Sequence, residues 1–340
     1  MAPLLSSINE LEQISTDIYL SYDIDQKEIM YSKNSDKQIA PASITKLMTA
    51  ILLLENYGIN DQIVIKISDS GIRGKIANLT NGESMSVSTL LDFLLVYSAN
   101  DAAHAVALAV SESEENFIEL MNLKASELGM DSTNFTNVHG LDEVNHFTTV
   151  KDLLILSLAA IAYDEIIVST NKEYFFADLS NNELFKYRTT NTLLSKNFTG
   201  LKTGWTTNAG LTFVGLYQDL NRNIITIVNQ SKVDLGMENH FIDTILLKDS
   251  SIMNFDKIII LNSGATIATI YNGINTREVN ADSSIDIFGR VNNNYEFNSI
   301  TISSNTIKLE YGNQNLLKVP TPPSPKISLL NKLIFWMFRY

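Results

Sequence analysis

Cysteine is absent from the 340 residues. That excludes disulfides, thiolate catalysis and cysteine-ligated metals together, although it does not fix a compartment. Positive charge is scarce: 25 Lys and Arg stand against 38 Asp and Glu, a formal charge of −13. With no basic patch to offset that acidity, nucleic acid is not an expected partner. No run reaches the roughly 18 apolar residues of a membrane-spanning helix. Residues 1–13 have neither the basic start nor the apolar stretch of a secretory leader. What remains is ordinary globular composition, 45% hydrophobic and 19% charged, which suffices for a sizeable core. The length suits one large domain with a smaller companion.

The chain ends on an exception to this soluble pattern. Residues 326–340 carry three cations and no acid among densely spaced apolar side chains. As a helix they would gather Ile327, Leu330, Ile334 and Met337 on one side, with Ser328, Lys332 and Arg339 on another. Too short to span a bilayer, the segment suits lying in the interface, with Trp336 and Tyr340 at headgroup level. Peripheral membrane contact through 326–340 is therefore expected.

Along the chain, Ile18–Tyr22 and Glu28–Tyr31 read as a hairpin around a polar turn. Pro41-Ala-Ser43-Ile-Thr-Lys46 then opens an apolar helix running to Glu55. Ser43 falls in its first turn and Lys46 three residues on, hence on one face. A hydroxyl there lies near unpaired backbone N–H groups, and an uncharged lysine one turn away could take its proton. The stretch 71–75 lacks the glycine spacing of a phosphate loop. Helical periodicity covers Val87–Tyr97, and Ala102–Val110 is a second, buried helix; the polar Ser98-Ala-Asn100-Asp101 lies wedged between them. Glu115–Leu128 and Lys151–Tyr163 read as further helices. His139, Asp142 and His146 could suggest a metal, but Gly140-Leu141 breaks any ligand face, so loop bracing is the expected role and no metal is expected. Lys202-Thr203-Gly204 precedes two strands, 211–217 and 224–229, with a helix over 235–247. On a strand edge the lysine supplies a cation, the threonine a donor, and the glycine room for a substrate backbone. From Phe255 onward short β-rich runs alternate with Asn/Gly turns, closed by the stiff Pro-rich spacer 320–325.

Ser43-x-x-Lys46, Ser98-x-Asn100 and Lys202-Thr203-Gly204 are each weak alone. Their order and their separations, about fifty and then about a hundred residues, are jointly strong. With Ala40–Ala50, Ser98–Ala103, Asn137–Leu141, His146, Asp152 and Gly200–Thr206, the chain resembles the serine-type D-alanyl-D-alanine carboxypeptidases (peptidase family S11), low-molecular-mass penicillin-binding proteins, over roughly residues 15–250.

The resemblance implies an α/β (α+β) penicillin-binding-protein/β-lactamase-like transpeptidase fold, with an antiparallel sheet, helices and a helical subdomain. The expected division is a catalytic domain over 1–250, a small all-β domain over 251–320, and the spacer and amphipathic segment over 321–340. It implies that Ser43 attacks the penultimate D-alanine carbonyl of a peptidoglycan stem peptide ending in D-Ala-D-Ala, with Lys46 as base. Ser98 would relay a proton to the leaving amine. Asn100 would hold the substrate and Lys46, and Lys202 would help keep Lys46 neutral. Thr203 and Thr206 would hold the substrate carboxylate beside Gly204. The N–H groups of Ser43 and Trp205 would form the oxyanion hole. No cofactor is implied; β-lactam antibiotics would be covalent inhibitors, and the site of action would be the outer face of the cytoplasmic membrane. Two other readings were weighed. A class A β-lactamase would show Glu-x-x-Leu-Asn between the second and third boxes, and no such pentapeptide lies there. A non-catalytic peptidoglycan-binding scaffold of this fold does not require intact boxes. One departure stands out: Gly236-Met237-Glu238 occupies the region where relatives often carry an arginine, and Arg188 does not replace it cleanly.

Overall fold

The computed structural model describes residues 10–67, 71–179, 184–234 and 238–261, together with strands within 266–320. The tail 321–340, and with it the expected membrane segment, lies outside the described residues. Two compact units divide at Ile252/Met253.

In the first unit, strands β1 (Ile18–Asp23) and β2 (Glu28–Lys33) form the expected hairpin. Helix α1 (Lys46–Asn56) follows a 3-10 turn, Ala42–Thr45, and the small ladder β3 (Gln62–Val64) with β4 (Ser84–Ser86) comes next. Then come α2 (Val87–Asp92), α3 (Asn100–Ser111), α4 (Glu114–Leu128), α5 (Val150–Ala160) and α6 (Asp164–Thr170). A hairpin not expected from the sequence follows, β5 (Tyr174–Asp178) with β6 (Leu184–Arg188). Strands β7 (Phe198–Thr206), β8 (Gly210–Gln218) and β9 (Asn223–Ser231) lead to α7 (Asn239–Asn254). The main sheet runs β2-β1-β9-β8-β7, antiparallel throughout, so β7 is an edge strand.

Helix α1 is the hub of the core. Leu47, Met48, Ala50, Ile51 and Leu53 are buried, and the helix packs against α3, α4 and α5. Each such large side chain contributes about 1.5–3 kcal/mol when withdrawn from water. Because α1 is covered on nearly every side, the 3-10 turn that leads into it, which carries Ser43, is anchored to a fixed element. Helix α4 begins on Ser113, whose hydroxyl accepts from the Asn116 N–H, and stops at Gly129 in the left-handed conformation. Helix α2 runs into a π turn, Phe93–Tyr97, that ends on left-handed Ser98 (φ 69°). Such turns are frequent where side chains must be aimed at a site.

The second unit, in its described part, consists of antiparallel strands. Phe255–Leu261 pairs with Ile285–Arg290, and Thr266–Tyr271 with Thr276–Asn280. Thr306–Tyr311 pairs with both Ser299–Ile302 and Gln314–Pro320. Among the described residues, no single helix is long and apolar enough to cross a membrane.

Candidate active site

The first two boxes converge on one ammonium position. Lys46 is fully buried, and its Nζ lies 3.0 Å from Ser43 Oγ, 2.7 Å from Asn100 Oδ1 and 2.8 Å from the His139 carbonyl oxygen. Burial is the main reason its pKa falls from the ordinary lysine value to about 7; the nearby Asp101 carboxylate opposes the fall and the Lys75 cation adds to it. This arrangement orients the amine. Asn100 Oδ1 and the His139 carbonyl can only accept, so they take the two N–H bonds of a neutral amine. The lone pair then faces the Ser43 hydroxyl.

The turn that presents Ser43 is gripped from two sides. Ala42 has φ 49°, a left-handed conformation that costs a non-glycine residue about 1–3 kcal/mol. Gly140 (φ 94°) presses on it so closely that a Cβ there would lie 1.8 Å from the Ala42 carbonyl oxygen. From the other side comes β7: a Cβ on Gly204 would lie 2.8 Å from Ala42 Cβ and 3.0 Å from Ser43 N. The sequence suggested that Gly204 makes room for a substrate. The structure gives it a different role, because the space its missing Cβ leaves is filled by Ala42 and Thr212, which lets the strand meet the Ser43 turn. The neighbouring Trp205 is 59% exposed.

The third box is on β7 itself rather than ahead of the strands. Lys202 is 1% exposed and donates to the Thr203 carbonyl at 3.0 Å. Burial first, then the charges of Lys46 and Lys75, hold its pKa well below the usual lysine value. Thr203 Oγ1 donates to Thr190 Oγ1 at 2.5 Å. Thr206 Oγ1 accepts from the Ala209 N–H at 3.0 Å, leaving its own proton to donate. Ser98, buried, caps the π turn two residues before Asn100.

Two contributors were not found from sequence. Residues 73–79, which overlap the stretch 71–75 that lacks phosphate-loop spacing, form a rim tied to α3. Asn100 Nδ2 donates to the Arg73 carbonyl (2.6 Å), its backbone N–H to the Lys75 carbonyl (2.7 Å), and Asp101 accepts from the N–H groups of Ala77 and Leu79. This rim brings a third lysine, Lys75, whose Nζ lies 4.0 Å from the Tyr97 ring centroid. The resemblance gives Lys202 the task of keeping Lys46 neutral; burial is the first cause of the Lys46 shift, the Lys75 cation adds to it, and Lys46 and Lys202 are close enough for their charges to oppose one another. Thr190, the other omission, enters the site only because the β5–β6 hairpin delivers it. The signal available was its Thr189-Thr190 pair, too common to stand out.

The residues 137–146 brace the site. His146 Nε2 meets Thr45 Oγ1 at 3.0 Å and its Nδ1 accepts from the Thr136 N–H. Asp142 Oδ2 accepts from the Asn208 N–H. These two side chains are thus occupied in holding loops, as expected from sequence. Burial lowers the pKa of His146 to about 4 and of His139 to about 3, so both rings are uncharged at neutral pH.

Residues 6–232 match the D-alanyl-D-alanine carboxypeptidase family, peptidase S11. The chain is 33% identical over 214 residues to D-alanyl-D-alanine carboxypeptidase DacF of Bacillus subtilis, covering 60% of this chain and 54% of that protein. A D-alanyl-D-alanine endopeptidase of Pseudomonas aeruginosa is 30% identical over 249 residues, covering 70% of this chain and 77% of that one. The chain thus spans little more than half the length of the first of these. Among solved structures, penicillin-binding protein D2 of Listeria monocytogenes in its cefotaxime-bound form superposes with TM-score 0.62 at 30% identity, covering 70% of this chain and 98% of that one. Penicillin-binding protein 6B of Escherichia coli shares the fold (TM-score 0.69, 23% identity) over 89% of this chain and 93% of its own. The fold is therefore that of the penicillin-binding proteins, and the chain belongs to the D-alanyl-D-alanine carboxypeptidase family.

Proposed function

We propose that this chain is a serine D-alanyl-D-alanine carboxypeptidase acting on peptidoglycan stem peptides, and that Ser43 is its nucleophile. The observation that carries the reading is the buried amine of Lys46 at 3.0 Å from Ser43 Oγ, with its N–H bonds already committed to Asn100 and His139. Lys46 takes the Ser43 proton as Oγ attacks the carbonyl of the penultimate D-alanine. The backbone N–H groups of Ser43 and Trp205 stabilise the oxyanion, with Gly204 packed against Ser43 N as support. Ser98 passes a proton to the departing amine of the terminal D-alanine. Water then attacks the acyl-enzyme, returning the hydroxyl to Ser43 and releasing the shortened peptide. One peptide bond is broken and one water consumed.

The terminal carboxylate is held by Lys202 and the Thr206 hydroxyl, and by Thr203 once its proton turns from Thr190 Oγ1 to the ligand. In place of the arginine that relatives often carry, the charge for the carboxylate would come from Lys202, whose protonated form an arriving carboxylate favours. Penicillins would acylate Ser43 in the same way. Action outside the cytoplasm fits a family that works on the cell wall, and peripheral membrane contact through 326–340 belongs to the same reading.

Incubation with a peptide ending in D-Ala-D-Ala, alongside a labelled penicillin, tests it. Free D-alanine with a long-lived adduct supports the reading. A rapidly lost adduct would indicate a β-lactamase, and neither product nor adduct a scaffold. The endopeptidase relative adds a further arm: cleavage of a cross-linked dimer peptide with no D-alanine release would place the activity there instead.

A further inference from the structure

Outside the catalytic groups, three side chains from three elements come together. His104 lies on α3, Glu114 in the first turn of α4, and His139 in the loop that follows α4. One ligand atom from each lies within 4.8 Å of the other two. His104 Nδ1 is 2.7 Å from Glu114 Oε2, and the two imidazole rings are 5.2 Å apart at their centroids. The His104 and Glu114 side chains are 18% and 28% exposed, so the cluster is open to solvent on one side. A tetrahedral Zn²⁺ has its ligands at about 2.0–2.2 Å, which sets neighbouring ligand atoms roughly 3.3–3.5 Å apart. The observed separations straddle that value, within reach of small side-chain rotations.

We propose that His104, Glu114 and His139 form a binding site for a divalent transition-metal ion, with Zn²⁺ as the best-matched probe. Two imidazole nitrogens and one carboxylate oxygen favour Zn²⁺ and its neighbours over Mg²⁺ or Ca²⁺, which take oxygen-rich shells. Three protein ligands leave a fourth position for water. The site differs from the His139, Asp142 and His146 trio weighed from sequence, in which Asp142 and His146 are engaged elsewhere.

The position ties the site to the catalytic amine. His104 sits one helical turn after Asn100, and His139 supplies the carbonyl that receives a Lys46 N–H. An ion would therefore cross-link the two elements that hold Lys46. Its arrival carries a definite local change. His139 Nδ1 now accepts from the Leu141 N–H at 3.1 Å. If Nδ1 becomes the ligand, its lone pair turns to the metal; if Nε2 does, the ring proton moves to Nδ1. Either way the Leu141 hydrogen bond is given up. The proton between His104 and Glu114 is likewise displaced when both ligate.

The test uses the full chain without a histidine tag, and Co²⁺ and Zn²⁺ as probes. Titration with Co²⁺ is expected to give the intense visible absorption of a low-coordinate ion at one equivalent per chain, displaced by Zn²⁺. Zn²⁺ is expected to raise Tm progressively, since an ion bound only by the native state stabilises it. Both signals are expected to be lost in His104→Gln and in Glu114→Gln, with penicillin labelling confirming that each variant is folded. No spectrum and no Tm shift in the unmodified chain would overturn the proposal. So would signals that persist unchanged in both variants, which would place the ion elsewhere.

Discussion

The two walls of the cleft are built on different principles. On the helical wall Lys46, Asn100 and Asp101 are fixed by side-chain hydrogen bonds: Lys46 to Ser43, Asn100 and His139, and Asn100 and Asp101 to the 73–79 rim. On the strand wall β7 is held by its ladder to β8 and by close packing of Gly204, while Lys202 bonds to the carbonyl beside it. The densely bonded wall is suited to moving a proton along a defined path, since Lys46 and Asn100 are held in one arrangement. The sparsely bonded wall leaves the Lys202 amine and the Thr206 proton for a ligand. Chemistry and recognition thus meet where Gly204 packs against Ala42 and the Ser43 turn, too closely to admit a Cβ.

Substitutions on the helical wall are expected to abolish acylation, the largest effect being Ser43→Ala. Losing a nucleophile of this kind costs on the order of 10⁶-fold, and labelled penicillin on a gel checks it. Lys46→Met is expected to slow acylation by about 10²–10⁴-fold, the range for a lost general base. Stopped-flow measurement with a chromogenic β-lactam would show it.

The contact between the walls is next. Gly204→Ala forces a methyl against Ala42, Thr212 and Ser43 N, an overpacking expected to cost about 1–3 kcal/mol. Urea unfolding should register the loss, together with slower acylation. Equal stability with full activity would mean that the two walls are not in register as described.

Strand-wall changes are expected to weaken binding more than catalysis. Lys202→Met should raise KM for peptides with a free terminal carboxylate by about tenfold or more, equivalent to losing a charged hydrogen bond. It should do less to peptides ending in an amide. The same substitution should raise Tm. A lysine whose pKa is lowered by burial binds fewer protons folded than unfolded, so at neutral pH it destabilises the native state, and removing it relieves that. A gain of about 2–4 °C per kcal/mol is expected for a unit of this size. Smallest is Thr203→Val, a few-fold rise in KM, because the hydroxyl must first give up its bond to Thr190 to reach the carboxylate, measured with the same peptides.

What the sequence revealed of this division follows from how local each signal is. The β1–β2 hairpin and α4, with its Gly129 stop, are written in alternation and capping, and they appear within a residue or two of where the pattern puts them. The Ser43–Lys46 pair survives the replacement of the expected α-helical turn by a 3-10 turn, because both geometries bring the two side chains to one side. The β5–β6 hairpin did not show. Its Tyr174, Phe176, Leu184 and Phe185 are all exposed, so polarity does not alternate along β6 as it does in a half-buried strand. Lys75 was invisible for another reason: its place is set by Asn100 and Asp101, some 25 residues away, through backbone hydrogen bonds that leave no mark on the sequence of the loop. Gly204 carried a signal that was read as room for a substrate, when it is room for Ala42.

The central claim is that a neutral, buried Lys46 takes the proton of Ser43. The pH dependence of the second-order acylation rate with a penicillin tests it most directly. The rate is expected to rise through a midpoint near 7 as Lys46 loses its proton, and to level off above it. A rate that stays flat across neutrality, or falls as the pH rises through it, would contradict the account.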